Sequence, residues 1–197
     1  MLILNQEVEI ELKNLLTKEE FQDLMNYFSI PETSFTTQTN YYFDTDADTL
    51  KKNGSALRIR KKQNTYTLTL KQPHGEDLME FSDTLTEDEA RHMIEGTKTP
   101  ESEVLRHIEK TFEIQPSSLH CSGSLMTSRH ERPYESGLLV LDHSKYLSVE
   151  DFEVEFEVPN RKQGEKEFKE LLQKFQIPLR ETPNKIKRFF DHKESLS

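Results

Sequence analysis

Charged and apolar residues alternate along several short segments of this chain, and this alternation limits its fold more than any other feature. Near the N-terminus, Glu9, Glu11 and Lys13 alternate with Ile10 and Leu12. Because successive side chains of a β-strand point to opposite faces, the three charged residues would share one face of a strand. An antiparallel strand with one face in water gives the same alternation, so this segment alone does not indicate a site.

The same pattern recurs farther along the chain. Arg58, Arg60 and Lys62 alternate with Leu57 and Ile59 between residues 55 and 63, and a turn at 63–64 follows. An earlier segment rich in threonine and tyrosine predicts a strand at 36–45, and further strands are predicted at 65–72, 78–85, 119–131, 137–143 and 146–159. In the last of these, Glu153, Glu155 and Glu157 alternate with apolar residues. The pattern therefore predicts a meander of strands, each with an apolar face and a charged face.

Segments with helical spacing separate these strands. Capping boxes at residues 17–20 and 86–89 predict two helix starts, because Thr at the N-cap and Glu three residues later satisfy backbone donors reciprocally. A third helix is expected to open at Thr99-Pro100, with Pro100 at its first position. Two more are expected at about 166–175 and 184–192. The apolar stripes of these amphipathic helices can cover the apolar strand faces.

Three aspartates, Asp44, Asp46 and Asp48, have the spacing of calcium ligands but do not complete a calcium-binding loop. An EF-hand loop needs Gly at its sixth position and Glu at its twelfth, where this chain has Thr49 and Ser55. A turn that leads into a short helix ending near residues 53–54 is the expected structure.

Length and composition favour one domain, residues 1–197, with a sizeable core. The net charge of −10 argues against general attraction to DNA or to an anionic membrane. One cysteine, Cys121, excludes an intramolecular disulfide and suits a reducing cytosol. The first four residues are too short for a signal peptide, and no segment is apolar enough to cross a bilayer, so a cytoplasmic location is expected.

The charged strand faces need an environment that stabilises them. About eight strands closed into a barrel leave an interior wide enough for side chains and one small ligand. Such an interior could hold basic residues Lys13, Arg58, Arg60, Lys71, Arg129 and Lys185 with acidic residues Glu9, Glu11, Glu80, Asp142, Glu153 and Glu155. Burying so many charges is costly unless each has a partner, a metal or an anion. The pattern therefore indicates a site for a polyanion and its metal rather than a core built for stability.

An ordered set of motifs resembles the CYTH superfamily, the triphosphate tunnel metalloenzymes, over nearly the whole chain. The set consists of the ExExK segment 9–13, the YYFDT segment 41–45, Leu57–Arg60, Leu70-Lys71, Glu80, Arg129, Phe152–Glu155 and Asn184-Lys185. The resemblance implies an α+β fold: a closed eight-stranded antiparallel β-barrel forming a tunnel, decorated with amphipathic helices. The chain is most similar to the small bacterial, thiamine-triphosphatase-like branch. It departs from the family in lacking a His before ExExK and in having Glu157, which has no assigned role.

The resemblance also implies an activity: metal-dependent hydrolysis of inorganic tripolyphosphate or of a small organic triphosphate such as thiamine triphosphate. Glu9, Glu11 and Lys13 would be the catalytic residues. The implied triphosphate ligands are Lys13, Arg58, Arg60, Lys71, Arg129 and Lys185. The implied ligands of Mg²⁺ or Mn²⁺ are Glu9, Glu11, Glu80, Asp142, Glu153 and Glu155. Arginine offers two-pronged contacts to phosphate, and carboxylate oxygens suit hard divalent ions.

Two other functions remain open from the sequence. One is a non-catalytic module that binds polyphosphate or a nucleotide, which retention of the acidic residues disfavours. The other is an adenylate cyclase, which would need a pocket for adenine and ribose. The expected partner is a small triphosphate, without DNA or membrane, and the oligomeric state is left open with a homodimer as one option.

Overall fold

The computed structural model describes residues 5–195, and these form an α+β fold with nine β-strands and six α-helices. The strands are β1 (Asn5–Glu9), β2 (Glu11–Leu16), β3 (Thr36–Asp44), β4 (Ala56–Lys62), β5 (Thr65–His74), β6 (Asp77–Leu85), β7 (His120–Tyr134), β8 (Gly137–Tyr146) and β9 (Val149–Glu157). The α-helices are α1 (Lys18–Tyr27), α2 (Thr49–Lys52), α3 (Glu87–Ile94), α4 (Glu103–Phe112), α5 (Arg161–Lys174) and α6 (Lys185–Ser195). Short 3₁₀ turns occupy Glu32–Ser34 and Pro116–Ser118. The α+β class expected from the sequence is confirmed.

The chain divides into two compact units. Among the described residues, the first unit contains 5–9 and 38–125, and the second contains 10–37 and 126–195. In the first unit the strand order is β1-β6-β5-β4-β3, and in the second it is β7-β8-β9-β2. The paired strands run antiparallel, as expected for a meander. Whether the whole chain acts as a single domain stays a prediction.

The strands differ in one detail from the closed eight-stranded arrangement. The N-terminal segment forms two strands that meet at Ile10, so the described residues contain nine strands. The carbonyl of Ile10 accepts a hydrogen bond from the amide of Val158, 3.0 Å away. Strand β1 pairs with β6 and β2 pairs with β9, so each half belongs to a different ladder. Within each unit the sheet is open, because its strand order has two ends.

The core of the first unit lies against the apolar faces of the meander. Leu57 and Ile59 of β4 and Leu68 and Leu70 of β5 are 0% exposed. The buried residues that belong to the same cluster on the flanking helices are Ala90 and Met93 of α3 and Val104, Leu105 and Ile108 of α4. Full burial of each large apolar side chain contributes about 1.5–3 kcal/mol. The faces that carry the charged side chains point the opposite way.

The core of the second unit has the same arrangement. Leu139 and Leu141 of β8 and Val154 and Phe156 of β9 pack with apolar residues of α1 and α5. Gly164 of α5 permits this approach, since a Cβ there would lie 2.5 Å from a methyl of Val158. A side chain at position 164 would therefore push α5 away from the end of β9.

The helix starts agree with the sequence at two positions and differ at a third. Both capping boxes form, at Thr17 with Glu20 and at Thr86 with Glu89. The predicted helix start at Thr99-Pro100 is wrong: α4 begins at Glu103, with Ser102 as its N-cap. The carboxylate of Asp83 accepts from the hydroxyl of Ser102 and, at 3.1 Å, from the amide of Val104. These contacts fix the helix start three residues beyond Pro100.

Asp44 has a structural role that explains the aspartate of the YYFDT segment. Its Oδ1 accepts from the amides of Thr45, at 2.8 Å, and Leu50, at 2.9 Å, and its Oδ2 accepts from the amide of Lys51, at 2.9 Å. The carboxylate thus satisfies backbone donors at the start of α2, as the rejection of a calcium loop anticipated. The short helix α2 is followed by Asn53 and Gly54, where the sequence placed its end.

Among residues 5–195, no helix combines the length and the apolar character needed to cross a membrane.

Candidate active site

The polar face of the first unit carries both arginines of β4. Arg58 lies directly opposite Tyr42 of β3 and Thr69 of β5. Arg60, two residues along, lies opposite Asn40 and Thr67. Side chains directly opposite each other in an antiparallel pair point to the same face. The two arginines therefore share a face with hydroxyl and amide groups, while Leu57 and Ile59 are buried on the other face, as the alternation predicted.

Lys71 of β5 joins two of the predicted acidic residues. Its ammonium group forms ion pairs with the carboxylates of Glu9 on β1 and Glu80 on β6. Burial alone would raise the pKa of Glu80, but the charges of Lys71 and Arg58 outweigh that effect, so the pKa of Glu80 is lowered. Glu80 is therefore ionised at neutral pH and is stabilised by two basic residues of its own unit.

The second unit holds a buried network centred on Arg129 of β7. Its Nε donates to Oδ1 of Asp142 at 2.8 Å, and one terminal nitrogen donates to Oδ2 of Asp142 at 2.7 Å and to Glu155 at 2.5 Å. Burial lowers the pKa of Arg129, but the charges of Glu155 and Asp142 more than offset this and raise it. Each of these three side chains is nine-tenths or more buried. Such a network persists only where the charges are mutually compensated.

Lys185, the first residue of α6, completes this network. Its Nζ lies 2.9 Å from Asp142 and 3.3 Å from Glu153, and it donates a hydrogen bond to Glu155. Although burial opposes the charged form, the carboxylates of Asp142, Glu155 and Glu153 raise the pKa of Lys185. For Glu155, the charges of Lys185 and Arg129 outweigh burial and hold its pKa well below the usual range. Burial and the neighbouring charge of Glu155 instead raise the pKa of Glu153.

Glu11 and Lys13 of β2 lie beside β9 in the second unit. Lys13 Nζ donates to Oδ1 of Asn184 at 2.5 Å and lies 3.3 Å from a carboxylate oxygen of Glu11. Glu11 lies directly opposite Glu157 in the β2–β9 ladder. Two like charges directly opposite each other destabilise a sheet. Carboxylate oxygens in this arrangement suit a hard divalent cation such as Mg²⁺ or Mn²⁺, so the donor chemistry fits the metal that the sequence implies.

Arg188 of α6 belongs to the network, although sequence reasoning did not identify it. Its Nε donates to Asp151 at 2.9 Å and one terminal nitrogen to Glu153 at 2.5 Å, while its other terminal nitrogen reaches the carbonyl of Pro183 at 2.7 Å. Residues three apart share a helix face, so the position of Lys185 was a signal that could have indicated Arg188. Arg188 thus holds one carboxylate oxygen of Glu153 in place.

Tyr146 of β8 packs at the edge of the same network. Its hydroxyl donates to Oδ2 of Asp151 at 2.5 Å. Burial and this hydrogen bond raise the pKa of Tyr146 to about 12. Tyr146 is therefore neutral near pH 7 and helps to hold Asp151 in place for Arg188.

The structure thus divides the predicted site residues into two groups, one in each unit. The first unit brings together Glu9, Arg58, Lys71 and Glu80 and places Arg60 on the same strand face as Arg58. The second unit joins Asp142, Glu153, Glu155, Arg129 and Lys185 in one network and places Glu11 beside Lys13. Asn40 and Asn184 contact members of these groups, but sequence reasoning gave neither a role.

This combination of strand ladders, ExExK segment and charged faces is that of a CYTH domain. The CYTH domain profile matches residues 7–190. The chain therefore belongs to the CYTH family, as its motifs suggested.

Individual relatives match over almost their full length. The chain is 45% identical over 190 residues to a Bacillus subtilis protein named "Putative triphosphatase YjbK", covering 96% of this chain and 98% of that protein. It is also 45% identical to a crystal structure from Bacillus halodurans described as a "putative adenylate cyclase", with a TM-score of 0.90, covering 94% of this chain and 98% of the other.

A more distant structure shares the fold. It is a Hippeastrum protein described as a "Putative adenylyl cyclase" with a dominant triphosphatase activity. That structure is 23% identical, with a TM-score of 0.76, and covers 94% of this chain and 96% of its own.

Proposed function

We propose that this protein hydrolyses a phosphoanhydride bond of a small triphosphate with the help of Mg²⁺ or Mn²⁺. Inorganic tripolyphosphate and small organic triphosphates such as thiamine triphosphate are the proposed substrates. The observation that carries the proposal is that basic and acidic side chains both lie on polar strand faces whose opposite faces are buried in apolar cores. A module that only bound anions would need the basic residues alone.

The relatives support the hydrolytic reading but give two different names. A relative with 45% identity over nearly the whole chain is named a triphosphatase, and another with the same identity is called an adenylate cyclase. Both names imply a substrate with a triphosphate group. The step that a triphosphatase and an adenylate cyclase share is attack on a phosphorus atom of a triphosphate.

The basic residues have the chemistry to bind the substrate. A triphosphate carries about four negative charges near pH 7, since the last ionisation of a terminal phosphate lies near pH 6–7. Arginine contacts phosphate oxygens through two parallel N–H groups, and lysine contributes a point charge. The residues proposed to bind triphosphate are Lys13, Arg58, Arg60, Lys71, Arg129 and Lys185.

The acidic residues have the chemistry to bind the metal. Those proposed as metal ligands are Glu9, Glu11, Glu80, Asp142, Glu153 and Glu155. A bound divalent ion would neutralise charge on phosphate oxygens and acidify water. In the reaction, water adds to the terminal phosphorus, the bridging P–O bond breaks, and orthophosphate and a diphosphate are released with a proton. Phosphoryl transfer depends mainly on positioning and charge neutralisation, so Glu9, Glu11 and Lys13 can act as catalytic residues without a side-chain nucleophile.

A phosphate-release screen tests the proposal. The substrates are tripolyphosphate, thiamine triphosphate, ATP and pyrophosphate, each with Mg²⁺, Mn²⁺ or EDTA. We expect metal-dependent release from at least one triphosphate and little from pyrophosphate. Absence of release from every triphosphate would refute the enzymatic proposal, and calorimetric binding of tripolyphosphate without turnover would establish a binding module.

Adenylate cyclase is the second candidate, and it rests on the description of the Bacillus halodurans relative. Incubation with ATP and Mn²⁺ separates the two reactions, because a cyclase releases pyrophosphate and cyclic AMP, whereas a triphosphatase releases orthophosphate. We expect orthophosphate as the main product.

A further inference from the structure

Asn40 of β3 is a buried amide that contacts one of the proposed substrate-binding arginines. Its side chain is on the polar face of the first unit, directly opposite Arg60, and the residue is 2% exposed. Its Oδ1 accepts a hydrogen bond from Nε of Arg60 at 2.9 Å. A buried amide oxygen without a donor is destabilising, so this contact holds both side chains in place.

The atom that Asn40 contacts determines how the guanidinium can be oriented. A hydrogen bond at Nε limits rotation of the guanidinium plane, whereas an arginine side chain without such a contact samples many rotamers. A two-pronged contact to phosphate requires that plane to be aligned with two phosphate oxygens. An arginine oriented before its ligand arrives loses less entropy on binding.

The absence of charge on Asn40 matters as much as its position for binding an anion. In the second unit, Nε of Arg129 donates to a carboxylate, that of Asp142, which offsets the positive charge of the guanidinium. The amide of Asn40 holds the Nε of Arg60 without adding a negative charge. An aspartate at position 40 would supply an oxygen at a similar place but would attract Arg60 and repel a phosphate.

We propose that Asn40 is a positioning residue that aligns the guanidinium of Arg60 for a two-pronged contact with a phosphate group. Because Asn40 is neutral, it does so without offsetting the positive charge of that guanidinium. This inference rests on the proposed function, because it assigns Asn40 to binding of the same triphosphate. It goes beyond that function by naming a neutral residue that tunes affinity for the anion.

Variants at position 40 distinguish positioning from a purely structural role. Asn40→Leu removes the acceptor at similar volume, and Asn40→Asp retains an acceptor but adds a charge. Gln38→Leu is the matched control, because Gln38 is also 2% exposed and lies two residues away on the same strand. The measurements are KM and kcat for tripolyphosphate with Mg²⁺, the calorimetric Kd for tripolyphosphate in EDTA, and the melting temperature.

We expect Asn40→Leu and Asn40→Asp each to raise KM and Kd about tenfold or more, with a smaller effect on kcat, while Gln38→Leu leaves KM within about twofold. A tenfold change corresponds to about 1.4 kcal/mol. A purely structural role predicts that Asn40→Asp binds like the wild type, since the acceptor is retained. That outcome would overturn the inference even if Asn40→Leu failed to fold.

A double-mutant cycle with Arg60→Ala provides the second test. If Asn40 acts through Arg60, then the uncharged change Asn40→Leu alters KM and Kd little in the Arg60→Ala background. Full additivity of the two changes would contradict the inference. If instead the wild type neither binds nor hydrolyses any triphosphate, the proposed function fails and this inference fails with it. A wild type that binds without turnover refutes only the enzymatic proposal, and the Kd values still decide the role of Asn40.

Discussion

The two units surround their arginines with different partners. In the first, Nε of Arg60 donates to the neutral amide oxygen of Asn40. In the second, Arg129 is clamped by the carboxylates of Asp142 and Glu155. A guanidinium already committed to two carboxylates must give up hydrogen bonds before it can bind a phosphate. We infer that the first unit contributes more to anion affinity and that the second contributes more to its own stability.

Lysines do not follow this division, which limits how far the comparison can be extended. Lys71 of the first unit lies between Glu9 and Glu80, and Lys185 of the second contacts three carboxylates. In both units, therefore, the ammonium groups compensate carboxylates that the proposal assigns to metal binding. Arg58 also acts on a carboxylate, that of Glu80. The comparison therefore applies to Arg60 and Arg129, and the predictions below test it.

The largest expected effect is on stability in the second unit. Glu155→Gln removes one of the two carboxylates that Arg129 and Lys185 share and leaves them only Asp142 in common, and breaking a buried ion pair costs about 3–5 kcal/mol. Urea unfolding without metal measures the loss. The control is Glu150→Gln on the same strand. The carboxylate of Glu150 is exposed, so this change should lower the free energy of unfolding by less than about 0.5 kcal/mol. Equal losses in the two variants would show that the network does not stabilise the fold.

The next effect is on activity in the first unit. Arg58→Ala and Arg60→Ala each remove a charge-assisted contact worth about 1.5–3 kcal/mol, or about ten- to a hundredfold in kcat/KM for tripolyphosphate. Arg→Lys variants should lose less, because they retain the charge but lose the two-pronged geometry. Unfolding free energies should change little compared with Glu155→Gln.

Lys62→Ala is the control for these arginines. Lys62 has the same parity on β4 but lies at the end of the strand, opposite Gln38. We expect it to retain most activity. Loss as large as that of Arg60→Ala would show that the anion lies farther along β4 than we propose, and three silent variants would place this face outside the site.

Local rules account for what the sequence predicted correctly in both units. The period of two separates Arg58 and Arg60 from Leu57 and Ile59 without reference to any other strand. Both capping boxes involve residues three positions apart, so their geometry is fixed within one helical turn. These features could be read from a few consecutive residues.

Features that depend on distant partners could not be read in this way. The start of α4 is set by Asp83, almost twenty residues earlier, and the sequence signal from Pro100 was misleading. The division at Ile10 follows from pairing of β1 and β2 with different strands, which alternation within the segment does not reveal. Asn40 and Arg188 gain their contacts from strand register and from docking of α6, and both are long-range properties.

The two ExExK glutamates provide a smaller but sharper contrast, because they belong to different units. Glu11 lies directly opposite Glu157, and its ion pair with Lys13 is long, at 3.3 Å, so Glu11→Gln should relieve more repulsion than attraction and raise the metal-free melting temperature. Glu9 pairs with Lys71, so Glu9→Gln should lower it. We expect each variant to change the free energy of unfolding by about 1 kcal/mol or less, and both variants to lose metal-dependent turnover. Changes of the same sign would contradict the charge environments described here, and full activity in either variant would remove that glutamate from the proposed site.

The smallest effect is a difference in how acid destabilises two single variants. The pKa of Glu80 is lowered in the fold: burial opposes this, but Lys71 and Arg58 outweigh it. Its contribution to stability is therefore present above the unfolded pKa, near 4.3, and is lost as pH falls through the folded value. Burial and Glu155 raise the pKa of Glu153, so this residue contributes in the opposite sense, and its contribution becomes more favourable as pH falls.

Urea unfolding from pH 7 to pH 3 tests this difference. Glu80→Gln should make the acid loss of stability shallower than in the wild type, and Glu153→Gln should make it steeper. The comparison with the wild type cancels the contributions of the other carboxylates. Parallel curves for the two variants would mean that Glu80 and Glu153 have equivalent surroundings, and the contrast between the units would then not extend to their carboxylates.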